Sequence, residues 1–283
     1  MNLDALQACK LDSVEIEYSD KDSMLYALSI GACANPDDLG ELGFAYEKDL
    51  VCLPSFAVVL AHPGMWMTRP GLDVDVLKLL HGEQRMTIHR PLPPAGKVRA
   101  EYAVSAVVDK GEGKGALMYF DKTLYDAVND ELLCTVTSMY FLRGDGGCGS
   151  FGSQPPVLGA VPEREPDFVD LIHLDHRAPM FYRLNGDRNP IHIDPELARK
   201  AGFPKPIAHG LLTYGVCGLS VLRKALNYDV KRMASHSLRF SSVVFPGEPL
   251  EFSGWQTDGG IAFRVRASER DKIVVDNGFV GTC

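Results

Sequence analysis

GLLTYGVCGLSVLRKAL, residues Gly210 to Leu226, carries small or apolar side chains on nearly every face until Arg223 and Lys224. A helix with that pattern is buried almost all round, not laid on a surface by one apolar stripe. Four strand-like runs follow it: Ser237–Phe245, Pro249–Gln256, Ile261–Glu269 and Lys272–Val280, with a hairpin turn at Asp258-Gly259-Gly260. One buried helix followed by an antiparallel run is an α+β pattern, and its simplest solution is a sheet curled around the helix.

The same order is found upstream. Pro54–His62 reads as a shorter apolar helix stopped at His62-Pro63. Val98–Val108, Ala116–Asp126 and Leu132–Leu142 read as strands, with turns at Gly111–Gly115 and Val128–Asp130. Between the two sets lies GDGGCGSFGSQPPVLGAVP, residues 144–162, dense in Gly, Pro and Ser and without apolar periodicity. Asn35-Pro36 recurs as Asn189-Pro190, and the strand-opening Gly96 as Gly247, at nearly one offset, which points to an internal duplication. The expected organisation is a first half over 1–143, a linker over 144–162 and a second half over 163–283. Two such sheets joined edge to edge would cover strands otherwise exposed and sticky.

Apolar residues make up 46% of the 283 and charged residues 23%, the balance of a soluble globular protein. The formal net charge of −8 denies a nucleic-acid partner the basic field it needs. The cysteines, at 9, 33, 52, 134, 148, 217 and 283, never adopt Cys-x-x-Cys spacing, so reduced thiols are expected and neither a disulfide framework nor a zinc site. His173 and His176 have no third ligand at sensible spacing, so no metal is expected there. The start of the chain lacks an apolar signal region, no apolar run reaches membrane-spanning length, and Gly281-Thr282-Cys283 is not a peroxisomal Ser-Lys-Leu address. A cytoplasmic protein without membrane attachment is the expectation.

The stretch richest in chemistry is YRLNGDRNPIH, Tyr182 to His192. Gly186 permits an unusual backbone angle just before Asp187, and Pro190 restricts both itself and Asn189. Such a loop can aim Asp187 and His192 at one point, and an acid–base pair sharing one water is what hydration of a double bond requires. The same residues also read as an ordinary turn with His192 capping the next segment. Downstream, Ile207-Ala208-His209-Gly210 leads into the buried helix, where the Gly210 N–H would be an unpaired donor at the positive dipole end.

Together these stretches resemble the MaoC-like family, specifically type-2 (R-specific) enoyl-CoA hydratases of the two-domain kind. The resemblance rests on Tyr182, Leu184, Gly186, Asp187, Asn189, Pro190, Ile191 and His192, then Pro206, Ile207, His209 and Gly210, with Asn185 where a smaller residue is more usual. His81-Gly82-Glu83-Gln84, with His89 to Pro93, and the glycines of 144–152 extend it through the first half. It implies a double hot-dog fold, two duplicated halves each with an antiparallel sheet wrapped around a central helix. It also implies a hydro-lyase that hydrates trans-2-enoyl-CoA reversibly to (3R)-3-hydroxyacyl-CoA in fatty acyl-CoA metabolism, without cofactor or metal. By the family pattern Asp187 and His192 are the catalytic pair and Gly210 N–H holds the thioester oxygen. His81, Gly82, Lys110, Arg188, Asn189, Pro190, Ile191 and Phe240 join them in binding substrate. Lys110, among the glycines of its hairpin, equally reads as solvated surface. The expected partners are an acyl-CoA small molecule and a second copy of the chain in a homodimer. Other readings are a dehydratase working on 3-hydroxyacyl thioesters of CoA or acyl carrier protein, and a non-catalytic acyl-CoA-binding protein. In the first half Cys33 stands at the position of Asp187 and Asp38 at that of His192, so one active site per chain is expected.

Overall fold

The computed structural model describes residues 1–283. Its strands are β1 (Val14–Tyr18), β2 (Leu79–Ile88), β3 (Gly96–Asp109), β4 (Ala116–Asp126), β5 (Leu132–Leu142), β6 (Phe151–Gly152), β7 (Phe168–His173), β8 (Met233–Phe240), β9 (Pro249–Thr257), β10 (Gly260–Ala267) and β11 (Lys272–Thr282). They form one sheet in the order β1-β3-β4-β5-β2-β8-β11-β10-β9-β7, with β6 attached to β3. The order is a mirror image about its middle: each strand of the first half has a counterpart at the same distance from the β2–β8 junction. That junction is antiparallel, running from Glu83↔Arg239 through Met86↔His236 to Thr87↔Ser235. Each half thereby uses its own edge strand to cover the other's.

The second-half helix spans Gly210–Ala225, with Leu226 as its C-cap, and is buried continuously from Leu212 to Leu222. Two of its glycines serve close approach. A Cβ at Gly215 would lie 2.7 Å from the Tyr26 hydroxyl, and one at Gly218 would lie 3.3 Å from the His236 ring. The helix therefore packs against Asp20–Ser29 of the first half on one side and the junction strand β8 on the other. Its last turn is tied down electrostatically. Arg223 donates to Glu41 and, at 2.8 Å, to Asp170 on β7, and both carboxylates are nearly buried. Elements at equivalent places in the two halves also touch each other: the Tyr26 and Tyr182 rings are 6.1 Å apart, and Asn185 Nδ2 donates to Ser29 Oγ at 3.0 Å.

The first half departs from expectation at its helix. In place of an apolar helix over Pro54–His62, a single 3-10 turn covers Pro54–Val58, and Ala61 takes a positive φ of 48°. The run is short, apolar all round and contains adjacent β-branched Val58 and Val59, so no helical face is specified. The carbonyls that the broken helix leaves unpaired are met from the sheet: Lys122 Nζ on β4 donates to Ala57, Val58 and Leu60 oxygens at 2.8, 3.0 and 2.7 Å, and the Tyr102 hydroxyl on β3 donates to Ala61. Residues 144–162 contain no regular element beyond β6, yet they are held. Asp109 accepts from Gly147 and Gly149, Arg85 donates to the Pro156 oxygen, and Asn277 donates to Leu158 and Gly159 oxygens.

His236, at the junction, is fully buried against Tyr214, with ring centroids 3.9 Å apart, and neither ring nitrogen has a partner. Burial pushes its pKa down to about 3. The unfolded chain thus binds a proton, below its own value of about 6.5, that the folded chain refuses. This contribution to stability is complete above pH 6.5 and is lost as pH falls toward the folded value. His236→Leu should therefore reduce the dependence of unfolding free energy on pH between 6.5 and 4 by up to one proton, ~1.4 kcal/mol per pH unit. An unchanged slope in denaturant titrations would contradict the buried neutral imidazole.

Candidate active site

Tyr182, fully buried, anchors the start of the loop. A 3-10 turn over Arg183–Asn185 ends at Gly186, whose φ of 121° is one an L side chain rarely adopts, and this reversal presents Asp187. Asp187 Oδ1 accepts from the Asn189 N–H at 3.2 Å, and Asn189 Oδ1 accepts from the Ile191 N–H at 3.2 Å. Pro190 then opens a second 3-10 turn that closes on His192. The polar side chains of the motif thus build the loop that displays its ends.

Side-chain ligand atoms of Asp187, His192 and His209 lie within 4.8 Å of one another. His192 Nδ1 is 2.9 Å from the Ile207 carbonyl, which can only accept, so Nδ1 carries the proton and Nε2 keeps its lone pair. Burial lowers the His192 pKa, while the hydrogen bond to Ile207 and the Asp187 charge oppose that fall. His209 Nε2 is likewise 3.2 Å from the Asp187 carbonyl, and its ring stacks on His192 with centroids 3.8 Å apart and planes inclined by 29°. Burial, then the neighbouring His192, push His209 down to about 3. Such a cluster invites comparison with a metal site, but a metal lies in the plane of each imidazole that binds it. Two rings stacked face to face and inclined by only 29° have no point in the plane of both within reach of their nitrogens, so the geometry suits proton transfer better than a metal.

Gly210, first residue of the buried helix, has one of the N–H groups that a helix start leaves unpaired. A Cβ there would sit 3.4 Å from the Phe240 ring. Phe240, at the end of β8, packs edge-on to His81 at 5.1 Å, and His81 faces Tyr140 of β5 at 5.0 Å. Gly82 is the extra residue of a bulge between β2 and β5, a device that re-aims the neighbouring side chain. Burial pushes His81 down to about 4, with the Asp187 charge opposing. The first half therefore reaches the Asp187 region through His81 and Tyr140, and the Asp187 charge is also felt at His62 and Tyr182.

The sequence-expected residues separate into two groups. Asp187, His192, Gly210, Phe240, His81 and Gly82 come together, with Asn189, Pro190 and Ile191 building the loop between them. Arg188 is exposed beside Asp187 and makes no ion pair. Lys110 makes no contact with the group: it is exposed at the β3–β4 hairpin, and β5 lies between that hairpin and β2. Tyr140 and His62 carry no local signal that marks them in the sequence. Tyr182 and His209 were visible there only as members of the motif.

In the first half the matching positions do other work. The Cys33 N–H donates to Glu41 at 2.7 Å, and burial raises the Cys33 thiol pKa. Asp38 caps the short helix Leu39–Leu42 through the Gly40 and Glu41 N–H groups and accepts from the Tyr228 hydroxyl at 2.7 Å. No acid–base pair faces an open position there.

A sheet mirrored about one pairing, with a buried helix starting at the Asp187–His192 loop, defines a double hot-dog protein of the hydratase and dehydratase type. Residues 16–144 match the MFE-2 hydratase 2 N-terminal domain and residues 157–277 match the MaoC like domain. Enoyl-CoA hydratase ChsH3 of Mycobacterium tuberculosis is 34% identical, with 98% of this chain and 97% of that protein covered. The peroxisomal multifunctional enzyme type 2 of Mus musculus is 37% identical over 96% of this chain, which spans only 37% of that longer protein. A MaoC-like dehydratase from Phytophthora capsici superposes with a TM-score of 0.87 at 32% identity, covering 100% of this chain and 99% of that one. The chain belongs to the MaoC-like family, with a first half of the MFE-2 hydratase 2 type. No helix is long and apolar enough to cross a membrane.

Asp187→Asn and His192→Gln should each lower turnover by ~10²–10⁴, the usual worth of a positioned acid or base. Asp38→Ala should instead cost stability, about 0.5–2 kcal/mol for a lost cap, with turnover nearly unchanged. Steady-state kinetics beside thermal melts separate the two behaviours. Near wild-type turnover in Asp187→Asn would remove that residue from the chemistry.

Proposed function

We propose that this protein hydrates trans-2-enoyl-CoA to (3R)-3-hydroxyacyl-CoA, with Asp187 and His192 as the acid–base pair and Gly210 N–H as the oxyanion donor. The observation that carries the proposal is the free Nε2 of His192 beside the Asp187 carboxylate, at the start of a helix whose first residue has no side chain. Relatives named enoyl-CoA hydratase, aligned along nearly their whole length, support the same reading.

The step balances with water alone. A water held by the pair loses a proton to it as oxygen bonds to C3, and the π electrons move toward the thioester oxygen. Gly210 N–H and the helix dipole stabilise that developing charge. The enolate then collapses as C2 takes a proton from the pair, which ends the cycle in its starting protonation state. No cofactor is required. Arg188, exposed and unpaired, is the cation best placed for a CoA phosphate, with Lys110 reserved for the more distant end of that carrier. Seven free cysteines suit a reducing compartment, and we infer a cytoplasmic setting.

The reverse reaction, dehydration of a 3-hydroxyacyl thioester, uses the same groups and is supported by the relative named 3-hydroxyacyl-thioester dehydratase Y, 36% identical. The equilibrium and the carrier supplied decide the direction.

Hydration in deuterated water tests the chemistry. Both members of the pair come from one short loop and meet one face of the alkene, so oxygen and deuterium should add syn. Coupling to (R)- and (S)-specific 3-hydroxyacyl-CoA dehydrogenases should report the R product, and NMR of the C2 deuteron should report syn addition. An S product would overturn the proposed substrate orientation, and anti addition would overturn the shared water.

A further inference from the structure

His209 lies at the centre of the candidate site, yet neither of its nitrogens is free to act on a substrate. Nε2 is engaged with the Asp187 backbone carbonyl at 3.2 Å. Nδ1 is shut away from solvent without any partner, and the residue as a whole is 1% exposed. One face of the ring is stacked on His192 at 3.8 Å, and Tyr182, the fully buried anchor of the loop, lies 4.9 Å away. The His209 carbonyl accepts the Thr213 N–H at 3.2 Å and so opens the first turn of the buried helix. A single side chain is therefore joined to the backbone of Asp187, to the ring of His192 and to the helix that begins with Gly210.

We propose that His209 is a positioning residue that holds Asp187 and His192 in fixed register with each other and with the Gly210 N–H. This rests on the hydratase reading of the same site. The physical need for it comes from Gly186. At a φ of 121°, with nothing within 4 Å of where its Cβ would be, Gly186 brings no side-chain packing to the peptide before Asp187. The bond from His209 Nε2–H to the Asp187 oxygen supplies the support that packing does not. The stack then sets the tilt of His192, whose ring is also held by the bond from Nδ1 to Ile207. Asp187 and His192 must meet the same water, and small errors in such geometry cost rate steeply. A neutral His209 is suited to the task, because a second cation against His192 would oppose any positive charge that His192 takes up during turnover.

Two substitutions separate the two contacts. His209→Phe keeps a ring to stack and loses the donor; His209→Gln keeps a donor and loses the ring. Each should lower kcat for a trans-2-enoyl-CoA by about 10–100-fold, the usual cost of losing a group that orients a reacting one, with KM changed by less than about three-fold. Active protein is counted by near-UV circular dichroism and thermal melting, so that misfolded material is excluded from kcat. The decisive measurement places His209→Phe on the Asp187→Asn background. A residue acting through Asp187 should then cost less than about two-fold more, whereas an independent catalytic or merely structural role would add its full effect. Wild-type kcat in both single variants, or full additivity in the double variant, overturns the proposal and leaves the hydratase reading standing. Wild-type activity in Asp187→Asn itself would overturn that reading instead.

Discussion

Pairing of β2 with β8 makes one molecule of two similar halves. Each strand is the inner edge of its own half-sheet, and each would present a row of unsatisfied backbone groups if left alone. Joined, they carry buried groups that need a partner or a packed neighbour: Gln84, whose amide bonds to Arg85, Thr137 and Ser138, and His236, stacked on Tyr214. The same pairing brings His81 and the Gly82 bulge of the first half against Phe240 of the second, and hence to the start of the buried helix. The candidate site depends on the junction, because residues from both halves surround it.

Near-symmetry also shows what each half has given up. Tyr26 meets Tyr182 and Ser29 meets Asn185, equivalent elements in mutual contact as across a dimer axis. Around that axis the two loops differ. One displays Asp187 and His192; the other is occupied by Cys33, Asp38, Glu41 and the incoming Arg223. The helix of the second half runs its full course, whereas that of the first stops after one 3-10 turn and has its carbonyls taken by Lys122 and Tyr102. Glu41 and Arg223 hold the Cys33–Asp38 loop to the end of the Gly210–Ala225 helix, so charged side chains fix that loop from the other half.

Local signals are legible in the sequence, and pairings between distant segments are not. Ala116–Asp126 and Leu132–Leu142 read from the sequence with their observed limits because hairpin turns bound them. β1, β2 and β7 carry no comparable turn signal. β2 is central, is interrupted by the Gly82 bulge and pairs with strands far along the chain, so its pattern does not alternate cleanly. The Pro54 run looked helical because apolar content alone does not distinguish a helix from a short buried turn. Within the candidate site, Asp187, His192 and Gly210 lie in one compact motif and were visible. Tyr140 could not be, since only the fold carries β5 to His81. Lys110 lies at the exposed β3–β4 hairpin, where local composition alone does not distinguish a carrier contact from solvated surface.

The central claim is a single site per chain, built on Asp187 and His192 and completed by the first half. It is tested most directly by a crystal structure of the Asp187→Asn protein with a trans-2-enoyl-CoA. The expected result is one ligand per chain, its thioester oxygen on Gly210 N–H, C2 and C3 facing residue 187 and His192 Nε2, and the acyl group passing His81 and Phe240. A ligand seated at Cys33 and Asp38, or a thioester directed away from Gly210, would contradict it.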